Sequence, residues 1–240
     1  TASNPAPISA QCSAPAPDIS VVTDAADNCT ASPAVVFVSD VSDGNANPET
    51  ITRTYSVSDD CGNSINVTQI ITINDVTAPS ITCPANITQS VDAGNCSASV
   101  TVPLATFTDN CAGGSITNNF NAGGADASGT YPVGTTTVTF TATDAAGNTD
   151  VCSMTVTVVD DEDPNAVCTD ITVGLDAGGN ASIVGADVDG GSTDNCSIAS
   201  LSVSPNSFTS ANLGPNNVTL TVTDASGNTS TCAAVVTVTD

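Results

Sequence analysis

Thr135-Thr136-Thr137-Val138-Thr139-Phe140-Thr141 and, just after it, Ser153-Met154-Thr155-Val156-Thr157-Val158 decide the fold. Apolar side chains alternate with Thr and Ser in both stretches, a period of two that turns one face to a core and the other to water. The Val- and Thr-rich content suits a pleated, half-buried surface, so both read as strands. The pair recurs near the end of the chain as Val218-Thr219-Leu220-Thr221-Val222-Thr223 and Ala233-Ala234-Val235-Val236-Thr237-Val238. No segment carries a helical period. Short strands punctuated by Gly, Asn, Asp and Pro turns predict an all-β chain of immunoglobulin-like antiparallel β-sandwiches.

The strand pairs belong to a longer repeat. Asp-Asn-Cys occurs at Asp27-Asn28-Cys29, Asp109-Asn110-Cys111 and Asp194-Asn195-Cys196, with successive cysteines 82 and 85 residues apart. Gly62-Asn63, Gly147-Asn148 and Gly227-Asn228 keep the same beat, each preceded by an acid, Asp59, Asp144 or Asp224, and each unit closes on Asp75, Asp160 or Asp240. A period of about 80 residues is long enough for a whole small domain rather than one turn of a solenoid. The expected organisation is therefore three tandem domains in an elongated array, 1–76, 77–160 and 161–240. With few aromatics each core must be small and aliphatic, which makes disulfides or metal ions plausible supplements.

Charge limits function. The chain has 240 residues, with 25 Asp and Glu against one basic residue, Arg53, and no His, for a formal charge of −24. Nothing is available to neutralise phosphates, so neither nucleic acid nor an anionic membrane surface is an expected partner, and no apolar run is long enough for membrane insertion. Without His or Lys the usual general base, Schiff-base amine and imidazole zinc ligand are missing, so the chain is not expected to be an enzyme. A hydrophobic fraction of 40% still supports a folded chain. Arg53 itself reads as a strand-face partner for a carboxylate. The sequons at Asn66, Asn86 and Asn217 are short enough to arise by chance in so Asn- and Thr-rich a chain.

Ten cysteines spread along the chain point to disulfides and an oxidising, extracellular location, secreted or on a cell surface. The first residues lack the charged and apolar regions of a signal peptide, so the stretch reads as mature protein or an excised segment.

In the second unit Ala78-Pro79-Ser80-Ile81-Thr82-Cys83-Pro84, Gly94-Asn95-Cys96-Ser97-Ala98, Asp109-Asn110-Cys111, Tyr131-Pro132-Val133-Gly134-Thr135-Thr136 and Thr143-Asp144-Ala145-Ala146-Gly147-Asn148, leading to Cys152, follow one another over about 80 residues. This combination resembles a HYR (hyalin repeat) domain. The third unit resembles the related acidic repeat of very long bacterial surface proteins through Cys168-Thr169-Asp170-Ile171-Thr172-Val173, Asp194-Asn195-Cys196 and Leu213-Gly214, although that repeat commonly has a cysteine where Ser210 stands. The first unit is more divergent, with Cys61 inside its turn. The resemblance implies an immunoglobulin-like fold, a place in tandem arrays on secreted or surface proteins including large adhesins, and no catalysis.

In a sandwich of this topology the Asp-Asn-Cys triplet and the Gly-Asn turn share one pole. The expected disulfides are then Cys29–Cys61, Cys111–Cys152 and Cys196–Cys232, with Cys83–Cys96 as the remaining pair of the second unit. Cys12 and Cys168 are left over. They are free and buried, or displace a partner, as in Cys168–Cys232, or join chains covalently.

The acids have two readings. Asp160-Asp161-Glu162-Asp163 puts four carboxylates at a unit boundary, where calcium, a hard cation wanting six to eight oxygens, would turn repulsion into a rigid joint. Asp194, Asp224 and Asn228 face that boundary from one side, and Asp92 and Asn95 approach from the other. Asp75 with Asp109, Asp144 and Asn148 forms a weaker counterpart. Such joints resemble by analogy the calcium-rigidified linkers of cadherins. In the plainer reading these Asp and Asn side chains bond their own turn backbones, and 160–163 is a solvated linker.

The expected function is an extracellular structural or adhesive array, a calcium-stiffened, disulfide-braced stalk or filament subunit that assembles head to tail with itself. The alternative is a calcium-dependent module binding a cell-surface glycan or protein; the absence of Trp, with only Tyr55 and Tyr131, argues against flat aromatic sugar platforms.

Overall fold

A computed structural model describes residues 1–240. Its elements are strands apart from three short 3₁₀ turns, Ile19–Val21, Gly185–Asp187 and Ser210–Asn212. The chain divides into two compact units, one of residues 1–83, 104–126 and 139–153, the other of 84–103, 127–138 and 154–240. The division passes through the middle sequence repeat, whose strands Gly134–Thr143 and Thr149–Val159 contribute to both units.

In the first unit a four-stranded sheet has the order Ile8–Ala10, Ser64–Ile73, Glu49–Ser58, Ala34–Ser42. Smaller pairings join Ser80–Thr82 to Thr106–Thr108, and Phe140–Thr143 to Ser115–Asn118. The second unit holds a sheet of the same plan, in the order Ile171–Gly174, Thr229–Thr239, Gly214–Asp224, Ile198–Ser204. It also pairs Asn180–Ser182 with Ser207–Thr209, Ser97–Val100 with Gly129–Pro132, and Ile87–Ser90 with Val156–Val159.

The alternating stretches behave as their pattern requires. Val218, Leu220, Val222, Ala234, Val236 and Val238 are buried and, with Phe208, Ile183 and Val188, form the core of the last repeat. Val138, Phe140, Ala142, Met154, Val156 and Val158 are buried in the middle one. Each hairpin closes on an aspartate whose backbone pairs with an asparagine four residues on, and Gly147 and Gly227 take up positive φ of 94° and 95°, which a Cβ would strain.

Two features depart from a purely antiparallel sandwich. In each repeat an opening strand, preceded in the middle repeat by the short Ser80–Thr82, runs parallel to the closing one: Ile8–Ala10 with Ile71–Ile73, Ile87–Ser90 with Val156–Val159, and Ile171–Gly174 with Val236–Thr239. Because these opening and closing strands run in the same direction, a repeat is entered at one end and left at the other. In the first repeat, moreover, no strand lies between Ala10 and Ala34, so no second sheet faces the first. The coil closes over it instead, around Val22, Tyr55, Val57 and Val67. Arg53 pins that coil: its guanidinium is bidentate to Asp40 at 2.8 Å and donates to the Pro15 carbonyl at 2.7 Å.

The disulfides correct the expected pairing. Cys29–Cys61, Cys83–Cys96, Cys111–Cys152 and Cys196–Cys232 do not form. The bonds are Cys12–Cys111, Cys83–Cys152, Cys96–Cys196 and Cys168–Cys232, so Cys12 and Cys168 are both bonded, and Cys29 and Cys61 are free and exposed. Topology supplies the reason. The segment entering a repeat lies beside its last strand, as the Ile81 N–H bond to Asp150 Oδ2 at 3.1 Å shows, and so Cys83 meets Cys152 and Cys168 meets Cys232. The triplet faces backward, towards the loop after the opening strand of the preceding repeat. Cys111 therefore meets Cys12, and Cys196 meets Cys96, with Cα separations of 5.1 and 4.7 Å.

Replacing Cys168 and Cys232 together by Ser releases a closure spanning 64 residues. Urea denaturation should show a loss of about 2–4 kcal/mol in the transition of the last repeat.

Candidate metal centre

The site is assembled from residues that arrive separately. Asp160 directly follows the closing strand of the middle repeat and is buried, Asp194 opens the third triplet, and Asp224 ends the first strand of the hairpin of the last repeat and is also buried. Carboxylate oxygens of these three lie within 4.8 Å of one another. Asn228 holds two of them in place, its Nδ2 donating to Asp224 Oδ2 at 2.7 Å and to the backbone carbonyl of Asp160 at 3.1 Å. Asn195 Nδ2 donates to Asp160 Oδ1 at 3.2 Å and to the Asn95 carbonyl at 3.0 Å, and Ser226 Oγ donates to Asp160 Oδ2 at 3.3 Å.

Asp194 is satisfied on one side only. Its Oδ2 accepts the N–H groups of Cys196 and Ser197 at 2.9 and 3.0 Å, whereas its buried Oδ1, like the buried Oδ1 of Asn195, has no hydrogen-bond partner. An orphaned buried oxygen is costly, and carboxylates about 5 Å apart repel by about 3 kcal/mol per pair at an effective dielectric near 20. The protein cannot supply the balancing charge, because its one basic side chain, Arg53, is committed to Asp40. The residues thus fit a hard cation with oxygen ligands.

A second cluster repeats the plan with fewer acids. Asp75 is buried, an oxygen of Asp109 and the Cys111 sulfur complete a group within 4.8 Å, and Asp109 Oδ1 is buried without a partner. Cys111 is bonded to Cys12 and so offers no thiolate. Asn148 Nδ2 bridges Asp144 Oδ2 at 2.8 Å and the Asp75 carbonyl at 3.2 Å, and Asn110 Nδ2 reaches Gln11 Oε1 at 2.7 Å and Asp75 Oδ1 at 3.4 Å.

Other expected ligands go elsewhere. Asp161 accepts the Ser90 hydroxyl at 2.7 Å, Glu162 accepts the Gly94 N–H at 3.0 Å, Asp92 accepts the Ser99 N–H at 2.9 Å, and Asp163 is exposed. Neighbours on an extended backbone point to different sides, so a run of four acids cannot deliver all four to one point. The turn reading also describes real bonds, since Asp144 Oδ1 accepts from Ala146 and Asn148 N–H, and Asp224 Oδ1 from Ser226 and Asn228 N–H. Sequence reasoning passed over Asn110, Asn195 and Ser226. The recurring Asn at the centre of each triplet was the available signal for the first two.

Comparison with known proteins places the middle of this arrangement. Residues 74–158 match the HYR domain. The HYR match contains Asp75, Asp109, Asp144 and Asn148, while Asp160, Asp194 and Asp224 lie beyond it. No curated protein matches the sequence. Beyond the HYR match, similar solved structures include mouse cadherin-23 EC22-24 (14% identity, 80% of this chain and 75% of that one, TM-score 0.38). Drosophila N-cadherin EC1-4 has 13% identity, 92% and 68% coverage and a TM-score of 0.36. The titin I67-I69 E-to-A variant has 11% identity, 100% and 96% coverage and a TM-score of 0.39.

Burial works to raise the pKa of Asp224, but the Asn228 amide and the N–H groups of Asn228, Gly227 and Ser226 outweigh it and hold the carboxyl below its ordinary range. Asp144 is held down in the same way by Asn148, Gly147 and Ala146. Their contribution to stability is therefore full above the unfolded-state value of about 3.9 and is lost as pH falls through the folded value. Asn228→Ala should raise the pKa of Asp224 and move the acid-unfolding midpoint to higher pH, as read by circular dichroism at fixed ionic strength.

Proposed function

We propose that this chain is an extracellular, adhesion-type structural array of three serial repeats, 1–76, 77–160 and 161–240, in which calcium stiffens the junctions between consecutive repeats. Four disulfides support an oxidising, extracellular setting, and the HYR match supports a repeat module. No helix is long and apolar enough to cross a membrane. The observation that carries the calcium reading is the convergence of Asp160, Asp194 and Asp224, with Asp194 Oδ1 buried and unpartnered and no basic side chain to compensate.

At the principal site those three aspartates would hold the ion, Asn228 and Asn195 positioning Asp160, with water completing the six to eight oxygens calcium takes. Asp75 and Asp109 would form a weaker site, having two carboxylates in place of three. Asp240 stands in sequence where Asp75 and Asp160 stand in their repeats, so the last repeat carries the acid needed to meet a pole such as that of Asp27 and Asp59. Between copies of this chain such a head-to-tail contact would be non-covalent and heterologous, one that extends rather than closes.

Calcium at about a hundred times its Kd should stabilise the chain by about 2.7 kcal/mol for one site. Calorimetric titration and thermal melts, with sodium and magnesium at matched ionic strength, should show a calcium-specific rise that Asp160→Asn with Asp194→Asn reduces. A melt unchanged between calcium and chelator would sink the proposal.

A further inference from the structure

The free cysteines sit at one end of the first repeat. Cys29 closes the first Asp-Asn-Cys triplet, and in the other two triplets that cysteine is bonded into the preceding repeat, Cys111 to Cys12 and Cys196 to Cys96. The asparagine beside it is engaged as well. Asn110 donates to Gln11 Oε1 at 2.7 Å and Asn195 to the Asn95 carbonyl at 3.0 Å, in each case the residue just before the bonded Cys12 or Cys96.

The first triplet is built identically within itself. Asp27 Oδ2 accepts the Cys29 N–H at 2.7 Å, as Asp109 and Asp194 accept those of Cys111 and Cys196 at 2.9 Å. The adjoining hairpin matches too, Asp59 taking the Asn63 amide at 2.7 Å as Asp144 and Asp224 take theirs. Yet Asp27, Asn28 and Cys29 are all exposed. The triplet groups that make a junction in the other two repeats are here in place and turned to solvent.

Register indicates how an occupant would arrive. Thr1 precedes the buried Pro5 by four residues, as Asp75 precedes the buried Pro79 and Asp160 the buried Pro164. A repeat joined in this register would end its closing strand at the Asp27–Cys29 pole.

We propose that this pole receives a further repeat of the same architecture whose loop after the opening strand presents a cysteine, and that Cys29 forms a disulfide with it. Two S–H bonds break and one S–S bond forms; the two electrons and two protons pass to a disulfide oxidant such as oxidised glutathione, which becomes two thiols. The inference rests on the serial-repeat reading and adds the covalent partner. A second copy of this chain is not that partner, because its corresponding turn, Asp176-Ala177-Gly178-Gly179-Asn180, is one residue shorter than Asp92–Ser97 and holds no cysteine. The turn is otherwise placed alike, Leu175 N–H bonding the Thr239 carbonyl as Val91 bonds that of Val159, both at 2.9 Å.

The test is a tandem of two full chains in which Asp240 of the leading copy takes the place of Thr1 in the trailing copy. The leading copy's turn 176–180 is replaced by the six-residue sequence of 92–97. In a glutathione redox buffer a non-reducing peptide map should link the grafted cysteine to Cys29, and maleimide should label one Cys29 of the two. Cys29→Ser in the trailing copy should abolish the link, whereas the same change in the leading copy should leave it. The bonds Cys12–Cys111 and Cys168–Cys232, read in the same map, certify folding. Both Cys29 thiols labelled in a folded tandem, a Cys29–Cys61 bond, or capture of the graft by Cys61 would each overturn the proposal. Loss of the calcium response with the link intact would instead count against the calcium reading alone.

Discussion

One asparagine amide does two jobs on which the architecture depends. Nδ2 of Asn228 donates both to Asp224 in its own hairpin and to the backbone carbonyl of Asp160, where the preceding repeat ends, and Asn148 does the same between Asp144 and Asp75. The hairpin turn is thereby tied to the chain that feeds it. Parallel pairing of the opening and closing strands then carries the chain to the far end of the repeat, where the next aspartate is delivered. Local turn chemistry and strand direction together place the acids, and the acids in turn define what the junctions can bind.

The electrostatic and covalent parts of a junction act on the same few residues. Asp194 and Cys196 are two positions apart in one triplet: the first brings an unpartnered oxygen to the carboxylate cluster, the second a disulfide to the loop of the preceding repeat. A disulfide of this kind limits separation without neutralising charge, and a cation neutralises charge without limiting separation over long times. Neither replaces the other, so a disulfide in so short a segment leaves the charge at the carboxylate cluster uncompensated.

The strands were legible in the sequence because Val138, Phe140, Val156 and their counterparts keep strict alternation, and a period of two leaves little ambiguity about which side is buried. Asp75, Asp160, Asp109 and Asp194 were legible because they recur in step with the repeat. Cysteine pairing was not, since spacing gives the order of poles along the chain but not which loop of one repeat faces the next. The roles of Asp161 and Glu162 were hidden for a related reason: adjacent acids look alike in sequence, while an extended backbone sends one to Ser90 and the next to Gly94. The coil covering the first sheet was hidden too, because residues 11–33 have no period to read and are fixed by contacts such as Arg53 to Pro15.

The bonds Cys83–Cys152 and Cys168–Cys232 join the entry of a repeat to its closing strand. Under tension applied along the polypeptide, the load would cross from one sulfur to the other and leave the loop between them, 69 or 64 residues in sequence separation, unstretched. Mechanical force on those two repeats would therefore bypass core residues such as Val138 and Phe140 or Val218 and Leu220, on which thermal stability depends.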